Sequence, residues 1–151
     1  RITLEEELDF LGNYIKLEGL RMKGAFTWSV EAEERLLDEE MLIPSLLVQP
    51  FVENAIWHGL APKEGAKNLA VRFSIEGAGV RCIIEDNGVG RSAERSETGR
   101  RSLGLKLTGE RLRLLTERME KEGAFVIEDL KDGAGAALGT RVVLKLAGTS
   151  A

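Results

Sequence analysis

Apolar positions recur along the chain with two periods, and the changes of period mark out the elements. Leu4, Leu8, Leu11 and Ile15 follow helical spacing, with charge on the opposite face. Thr3 followed by Glu6 is a capping-box signature, so a helix is predicted from about Thr3 to Met22, ending near Lys23-Gly24. Its acidic start and its Arg21/Lys23 end suit the helix dipole. Ala25–Val30 reads as a strand and Glu31–Glu40 as an acidic loop or turn. Asn68–Glu76 and Val80–Glu85 read as two strands, linked by Gly77-Ala78-Gly79 into a hairpin. The second strand runs directly into Asp86-Asn87-Gly88-Val89-Gly90. Arg91–Arg101 is charged and has no hydrophobic period, which predicts a mobile loop. Leu107, Leu112, Leu115 and Met119 predict a helix from about Leu105 or Thr108 to Lys121, ended by Gly123. Ala124–Leu130 is a strand, Lys131–Gly139 a glycine-rich turn region and Thr140–Leu146 a last strand. This order implies a single α+β domain over the whole chain, a two-layer sandwich with helices covering one face of a mixed, mainly antiparallel sheet.

One stretch does not fit simple amphipathicity. Ile43–Leu60, IPSLLVQPFVENAIWHGL, is nearly uncharged and apolar, yet it holds Gln49, Glu53, Asn54 and His58. On a helix Leu47, Phe51, Asn54 and His58 share one stripe. Burying an unpaired amide there would cost roughly 2–7 kcal/mol. Core packing therefore does not account for Glu53 beside Asn54; a ligand or an ion that uses them would. The helix is expected to start near Pro44, to kink or restart at Pro50, and to stop at Gly59 in a left-handed conformation.

Composition adds limits. The chain has 151 residues, enough for one domain with a real core, and 43% hydrophobic with 30% charged residues is ordinary for a globular protein. No apolar run approaches the roughly 20 residues of a membrane span. The chain starts at Arg1, and the expectation is a fragment of a longer protein. One Cys and one His exclude an internal disulfide and the usual zinc sites. Cys82 falls in an apolar strand pattern, which predicts a buried, inert thiol. The net charge of −4 argues against nucleic acid. It is unevenly spread: the segment from Arg91 to Arg113 carries seven basic and three acidic residues, leaving 14 basic against 22 acidic elsewhere. A local basic segment in an acidic domain suits a small anion.

Four separated pieces carry candidate chemistry: Glu53-Asn54 with His58, Asp86–Gly90 at a strand end, Ser102-Leu103-Gly104-Leu105-Lys106, and Gly139-Thr140. Phosphate chemistry gives a reason for the set. Glycines let backbone N–H groups approach phosphate oxygens, and the start of the Leu105 helix adds its dipole. The loop arginines and Lys106 supply charge. The Asn54 amide oxygen suits Mg²⁺ beside phosphates, and a strand-end Asp86 can accept from an adenine amino group. The frame Gly99-Arg100-Arg101-Ser102-Leu103-Gly104 is not a Walker A loop, because Leu105 stands where Lys is required and no strand leads in. No nucleophile pairs with His58.

The set resembles the sensor histidine kinases, in particular the LytS-type group. IPSLLVQPFVENAIWHGL is similar to their N box, DNGVG to the first glycine box, SLGLKLTGERL to the second and GTRVVLKL to the closing strand. LEEELDFLGNYIKLEGLRM resembles the helix that precedes the N box. The resemblance covers nearly the whole chain in order and spacing.

It implies the Bergerat-type ATP-binding fold of the GHKL ATPases, with ATP and Mg²⁺ as ligands. By that resemblance Asn54 ligates Mg²⁺, Glu53 is the general base or its helper, and His58 nears the phosphates. Asp86 is the adenine-binding carboxylate supported by Thr140, Gly88 and Gly90 shape the adenine pocket, and Ser102, Leu103, Gly104, Leu105 and Lys106 close on the phosphates, so that Arg91–Arg101 is the ATP lid. Ser102 departs from the glycine common at its position, and the family's phosphoacceptor histidine lies upstream of this region. The implied activity is transfer of the ATP γ-phosphoryl group to a histidine on a separate dimerisation and phosphoacceptor domain, ahead of a response regulator. The implied parent is a homodimer anchored in the cell membrane with this domain in the cytoplasm. Two other readings stand beside it: a GHKL-type serine kinase or ATPase, and a non-catalytic nucleotide-binding module.

Overall fold

The structure, a computed structural model, describes residues 2–45, 47–90, 114, 117 and 123–150. The expected lid, Ser102–Lys106 and most of the helix toward Lys121 lie outside the described residues.

In chain order the elements are β1 (Ile2–Thr3), α1 (Leu4–Gly19), β2 (Phe26–Ala32), α2 (Glu34–Asp38), β3 (Met41–Ile43), α3 (Gln49–Asn54) with a π-helical continuation (Ala55–Leu60), β4 (Lys67–Glu76), β5 (Gly79–Asp86), β6 (Gly123–Lys131), β7 (Ala137–Leu146) and β8 (Thr149–Ser150). Five strands form the main sheet in the order β2-β4-β5-β7-β6. Only β2 and β4 run parallel; the other pairs are antiparallel. The expected mixed, mainly antiparallel sheet with its β4–β5 hairpin is present, and Gly77 at the hairpin takes a left-handed φ of 59°.

Strand β5 shows why the sheet has one covered face. Val80, Cys82, Ile84 and Asp86 are buried, and the residues between them are only half-buried. From β4, Leu69, Val71 and Phe73 join them, and the helices supply Leu11, Ile15, Phe51, Val52 and Ile56. Cys82 is buried, as its strand pattern predicts, and burial pushes its thiol up, so it is inert at neutral pH. The other face carries ion pairs instead: Arg141 reaches Glu85 at 2.7 Å and Glu128 at 3.5 Å.

Helix α1 begins as predicted. The Glu6 amide donates to Thr3 Oγ1 at 3.1 Å and the Thr3 amide to Glu6 Oε1 at 3.2 Å, a complete capping box.

Four expectations need correction. Glu31–Glu40 is not only a loop, because α2 lies within it and is followed by β3. That strand is the middle of a second, three-stranded sheet, β1-β3-β8. Strands of two or three residues are too short to show a period. The central helix starts at Gln49, not near Pro44. Pro50 falls in its first turn, where a missing N–H breaks no helical bond, so of its two expected roles it marks a start and not a kink. Gly59 does not stop the helix either: the helical conformation continues through Leu60 to Ala61, and Gly59 is not among the left-handed glycines.

Candidate functional site

The fourth correction concerns the register of the central helix. In FVENAIWHGL the residues pair off with a strict period of four: Phe51-Val52, Ala55-Ile56 and Gly59-Leu60 are buried, while Glu53-Asn54 and Trp57-His58 between them are half-buried. A regular α-helix of 3.6 residues per turn drifts by about 40° over each such repeat. The π-helical continuation, at about 4.4 residues per turn, drifts back by a similar amount. Its i→i+5 bond is the Ala61 amide donating to the Ile56 carbonyl at 2.8 Å. One α turn followed by one π turn therefore keeps both faces straight. Leu47 and Phe51 do not share a stripe with Asn54 and His58. The first two are buried in the core, while Glu53, Asn54, Trp57 and His58 make a polar and aromatic edge along the helix.

The other half of the site is the end of β5. Asp86 is 6% exposed, which is rare for a carboxylate, and sits in register with Leu69 of β4 and Thr140 of β7. The Gly88 amide donates to Asp86 Oδ1 at 2.8 Å. Burial pushes its carboxyl up from an ordinary 3.8 to about 7. The Gly88 N–H pulls it back down, the neighbouring Glu85 charge adds to the rise, and a Thr140 backbone hydrogen bond lowers it again. Thr140 thus supports Asp86 through its backbone.

Three glycines let these parts meet. A Cβ on Gly59 would lie 2.8 Å from Asp86 Oδ1, and one on Gly88 would lie 2.1 Å from the Gly59 carbonyl oxygen. A Cβ on Gly139, whose φ is 139°, would strike the Asp86 carbonyl. The Val89 amide closes the junction by donating to the Gly59 carbonyl at 2.9 Å. Asn87 then locks the turn onto the start of β4: its Oδ1 accepts from the Asn68 amide at 2.7 Å and its Nδ2 donates to the Ala66 carbonyl at 3.1 Å. Gly90 needs its left-handed φ of 83°. The Asp86–Gly90 turn is thus docked on the helix that carries Glu53, Asn54 and His58, and the sequence-predicted residues of the described part fall at one edge of the domain. Ser102, Leu103, Gly104, Leu105 and Lys106 lie outside the described residues.

The sequence predicts a helix stop at Gly59 and assigns no role to Glu7, Tyr14, Trp57 or Lys67. Glu7 is 1% exposed inside α1, and Lys67, 3% exposed, donates from Nζ to the Lys23 carbonyl at 2.7 Å. The period of four in FVENAIWHGL was the available signal for Gly59, since it places that residue on the packed face.

Among the described residues no cluster of three or more His, Cys, Asp and Glu forms a metal site. Asn54, half-buried on the helix edge, carries a side-chain amide oxygen, a donor of the kind that hard cations take.

No family model matches the chain. The chain is similar to the sensor histidine kinase/phosphatase LytS of Staphylococcus aureus, with 36% identity over 95 residues, which is 62% of this chain and 16% of that protein. It therefore spans only a small part of the curated relatives it matches. Among solved structures, the catalytic domain of the histidine kinase ThkA superposes with a TM-score of 0.61 at 12% identity, over 99% of this chain and 97% of that one. Full-length ShkA in complex with AMPPNP superposes with a TM-score of 0.59 at 17% identity, over 99% of this chain and 31% of that one. The Acinetobacter baumannii histidine kinase AdeS gives 0.55 at 12% identity, over 97% of this chain and 65% of that one. The resemblance to LytS-type sensor histidine kinases holds in sequence, and the fold is that of histidine kinase catalytic domains.

Proposed function

We propose that this chain is the ATP-binding catalytic domain of a two-component sensor histidine kinase, which passes the γ-phosphoryl group of ATP to a histidine on a separate helical dimerisation domain. The observation that carries this reading is the junction at Gly59. There a buried strand-end carboxylate, Asp86, is seated against the helix that presents Glu53, Asn54 and His58. A carboxylate held by backbone donors and closed in by glycine backbone suits a flat base with an exocyclic amino group. Adenine offers that group and guanine has an oxo group there. The AMPPNP complex of ShkA, a protein of the same fold, agrees with an adenine nucleotide.

The roles of the chain's own groups follow from phosphoryl transfer, where positioning and charge neutralisation do most of the work. Asp86, with Gly88, Gly90 and Thr140 around it, orients the base. Glu53 accepts or orients the proton of the attacking imidazole. His58 lies on the same helix edge, toward the phosphates. Asn54 is the ligand this chain contributes to Mg²⁺, which neutralises phosphate charge when bound. Lys106 and the segment Ser102–Leu105 supply the phosphate contacts of the lid. The acceptor histidine belongs to another part of the parent protein, since the only histidine here, His58, lies in the nucleotide site. The parent is read as a membrane-anchored homodimer that signals to a response regulator, with this domain on the cytoplasmic side. The far greater length of the LytS relatives supports a parent with further domains.

Calorimetric titration with ADP and ATP, with and without Mg²⁺, tests the nucleotide site, with GTP as control. Adenine-selective binding that responds to Mg²⁺ is expected, and no binding under any condition would overturn the proposal. Supplying the acceptor domain and testing the product in acid then fixes the reaction, because phosphohistidine is lost in acid and phosphoserine survives.

A further inference from the structure

Among the large apolar side chains that stand exposed on the described residues, three belong to α1 and its cap. Phe10 is 43% exposed, Leu17 63% and Leu20 79%. Leu20 is the C-cap and keeps helical backbone angles, so it continues the surface of the helix. With exposed Asn13 between them, the three fall at spacings of three, four and three residues, which is one stripe along the outer side of α1. The inner side, with Leu4, Leu11 and Ile15, is in the core. An apolar stripe repeating about every 3.5 residues is a seam for another helix. None of the residues assigned to the nucleotide lies on α1.

The charges beside the stripe say what covers it. The exposed charges of the first half of α1 are Glu5, Glu6 and Asp9, all acidic. Those of its second half and the turn that follows are Lys16, Arg21 and Lys23, all basic. The one acid there, Glu18, is half-buried and faces Arg21 at 3.7 Å. A matching helix is therefore basic at one end and acidic at the other, over the roughly 24 Å of 16 helical residues. A second α1 turned end for end has that pattern. Antiparallel pairing sets acid against base at both ends, lays Phe10 of one copy over the Leu17–Leu20 half of the other, and opposes the two helix dipoles. Parallel pairing would set like charges together along both halves. A two-fold axis near Asn13, in the middle of the stripe, makes each contact twice.

We infer that α1 is a self-pairing surface: two copies of this chain associate through antiparallel α1 helices, seated on Phe10, Leu17 and Leu20 about an axis near Asn13. This contact is separate from the helical dimerisation domain of the proposed parent and does not rest on that reading. One helix against another buries on the order of 1,000 Å², the lower end for a specific interface, so the association is weak, with a Kd on the order of 100 μM.

Sedimentation of the whole chain over about 5 to 500 μM tests it, and the average mass should climb from that of one chain toward that of two. Leu17→Glu puts an acid on the stripe and should weaken association at least about 10-fold, with an unchanged unfolding midpoint because the position is exposed. Lys16→Glu should weaken it as well, and Asp9→Lys added to Lys16→Glu should recover most of the loss, since the exchanged charges still match end for end. Asn13→Cys, near the axis, should give a disulfide between copies on air oxidation, while Glu5→Cys, far from the axis, should not; Cys82 is buried and does not compete. A chain that stays single at the highest concentration would overturn the inference and leave the stripe to a different partner, such as the acceptor domain. Association that survives Leu17→Glu would place the contact elsewhere and overturn it too. Cross-linking of Glu5→Cys, or no recovery in the double charge variant, would overturn the antiparallel pairing.

Discussion

Among the described residues two carboxylates are buried on the helix-covered side of this sheet, and their surroundings differ in kind. Asp86 ends β5 and is 6% exposed; Glu7 lies on α1 and is 1% exposed. Burial pushes both up to about 7. Asp86 accepts from the Gly88 amide at 2.8 Å, and a Thr140 backbone hydrogen bond also lowers its pKa. Glu7 Oε2 is buried with no hydrogen-bond partner, and nothing opposes its rise. A carboxylate with donors already aimed at it can be ionised at modest cost and can accept one bond more from a ligand. A carboxyl without them has nothing to hold its ionised form in place for a ligand, although burial raises both groups to about the same value. Depth of burial therefore does not distinguish a binding residue from a passive one; the supply of backbone donors does.

The most severe way to break the contrast is to move the donor that only Asp86 has. A Cβ on Gly88 would lie 2.1 Å from the Gly59 carbonyl oxygen and 2.2 Å from its carbon. Both neighbours are backbone, so the turn and the helix must part. Gly88→Ala should cost on the order of 4 kcal/mol in chemical unfolding, beyond the usual 0.5–3 for a point mutation. It should also weaken ADP binding, since the donor moves with the turn. An unchanged midpoint would mean that the turn is not docked on the helix as described.

Removing the carboxylates themselves separates their roles. Asp86→Ala should reduce ADP affinity on the order of 100-fold, about 3 kcal/mol, the worth of a hydrogen bond to a charged group. Glu7→Leu should leave that affinity unchanged. Calorimetry on the two variants decides, and equal losses would erase the distinction. Asp86 is the stronger acceptor when ionised, and burial raises it to about 7, so ADP affinity should also fall as pH drops from about 8 to about 6.

The contrast was only half visible in the sequence. Asp86 could be found because Asp-Asn-Gly-Val-Gly follows an apolar strand, and a turn of that composition is readable from five adjacent letters. The Glu53-Asn54 pair could be found because polar residues interrupt an apolar run. Glu7 could not, since Glu5, Glu6 and Glu7 look alike at the start of an acidic helix, and only the packing of α1 on the sheet turns one of them inward. The role of Gly59 is hidden in the sequence for a related reason. Glycine near the end of a helical run suggests a stop, while its actual role is a close approach to Asp86, set by a partner 27 positions further along the chain. The π turn was legible as a period of four but not as a reason for it. The short strands of the second sheet were not legible at all, because their pairing is fixed by residues at opposite ends of the chain.

A third effect is on stability against pH. The Glu7 carboxyl rises from an ordinary 4.5 to about 7 in the folded state. Below pH about 4.5 it is protonated both folded and unfolded, and stability is at its full value. As pH rises from there to about 7, the unfolded chain releases this proton and the folded one keeps it, so stability falls, by about 3 kcal/mol in all. Glu7→Gln should remove that part of the slope, and Glu7→Leu should also be the more stable protein at pH 8, because no buried polar oxygen is left unpaired. Unfolding by urea at several pH values measures both. A Glu7→Gln variant as pH-dependent as the parent would show that Glu7 ionises freely in the fold.

The smallest expected effect comes from a carboxylate one residue away that shares neither environment. Glu85 precedes Asp86 but points to the open face of the sheet, where it meets Arg141 at 2.7 Å. Both side chains are about a third exposed, and such pairs contribute roughly 0–1 kcal/mol. Its negative charge adds to the upward push on Asp86. Glu85→Gln should thus have two opposed consequences: loss of a weak ion pair, and slightly easier ionisation of Asp86. Stability should change by less than about 1 kcal/mol. ADP affinity at pH 7 should rise slightly if it changes at all, since more of Asp86 is then ionised before the ligand arrives. A large loss of affinity in Glu85→Gln would mean that the open face takes part in binding, and that donors around Asp86 are not what sets it apart.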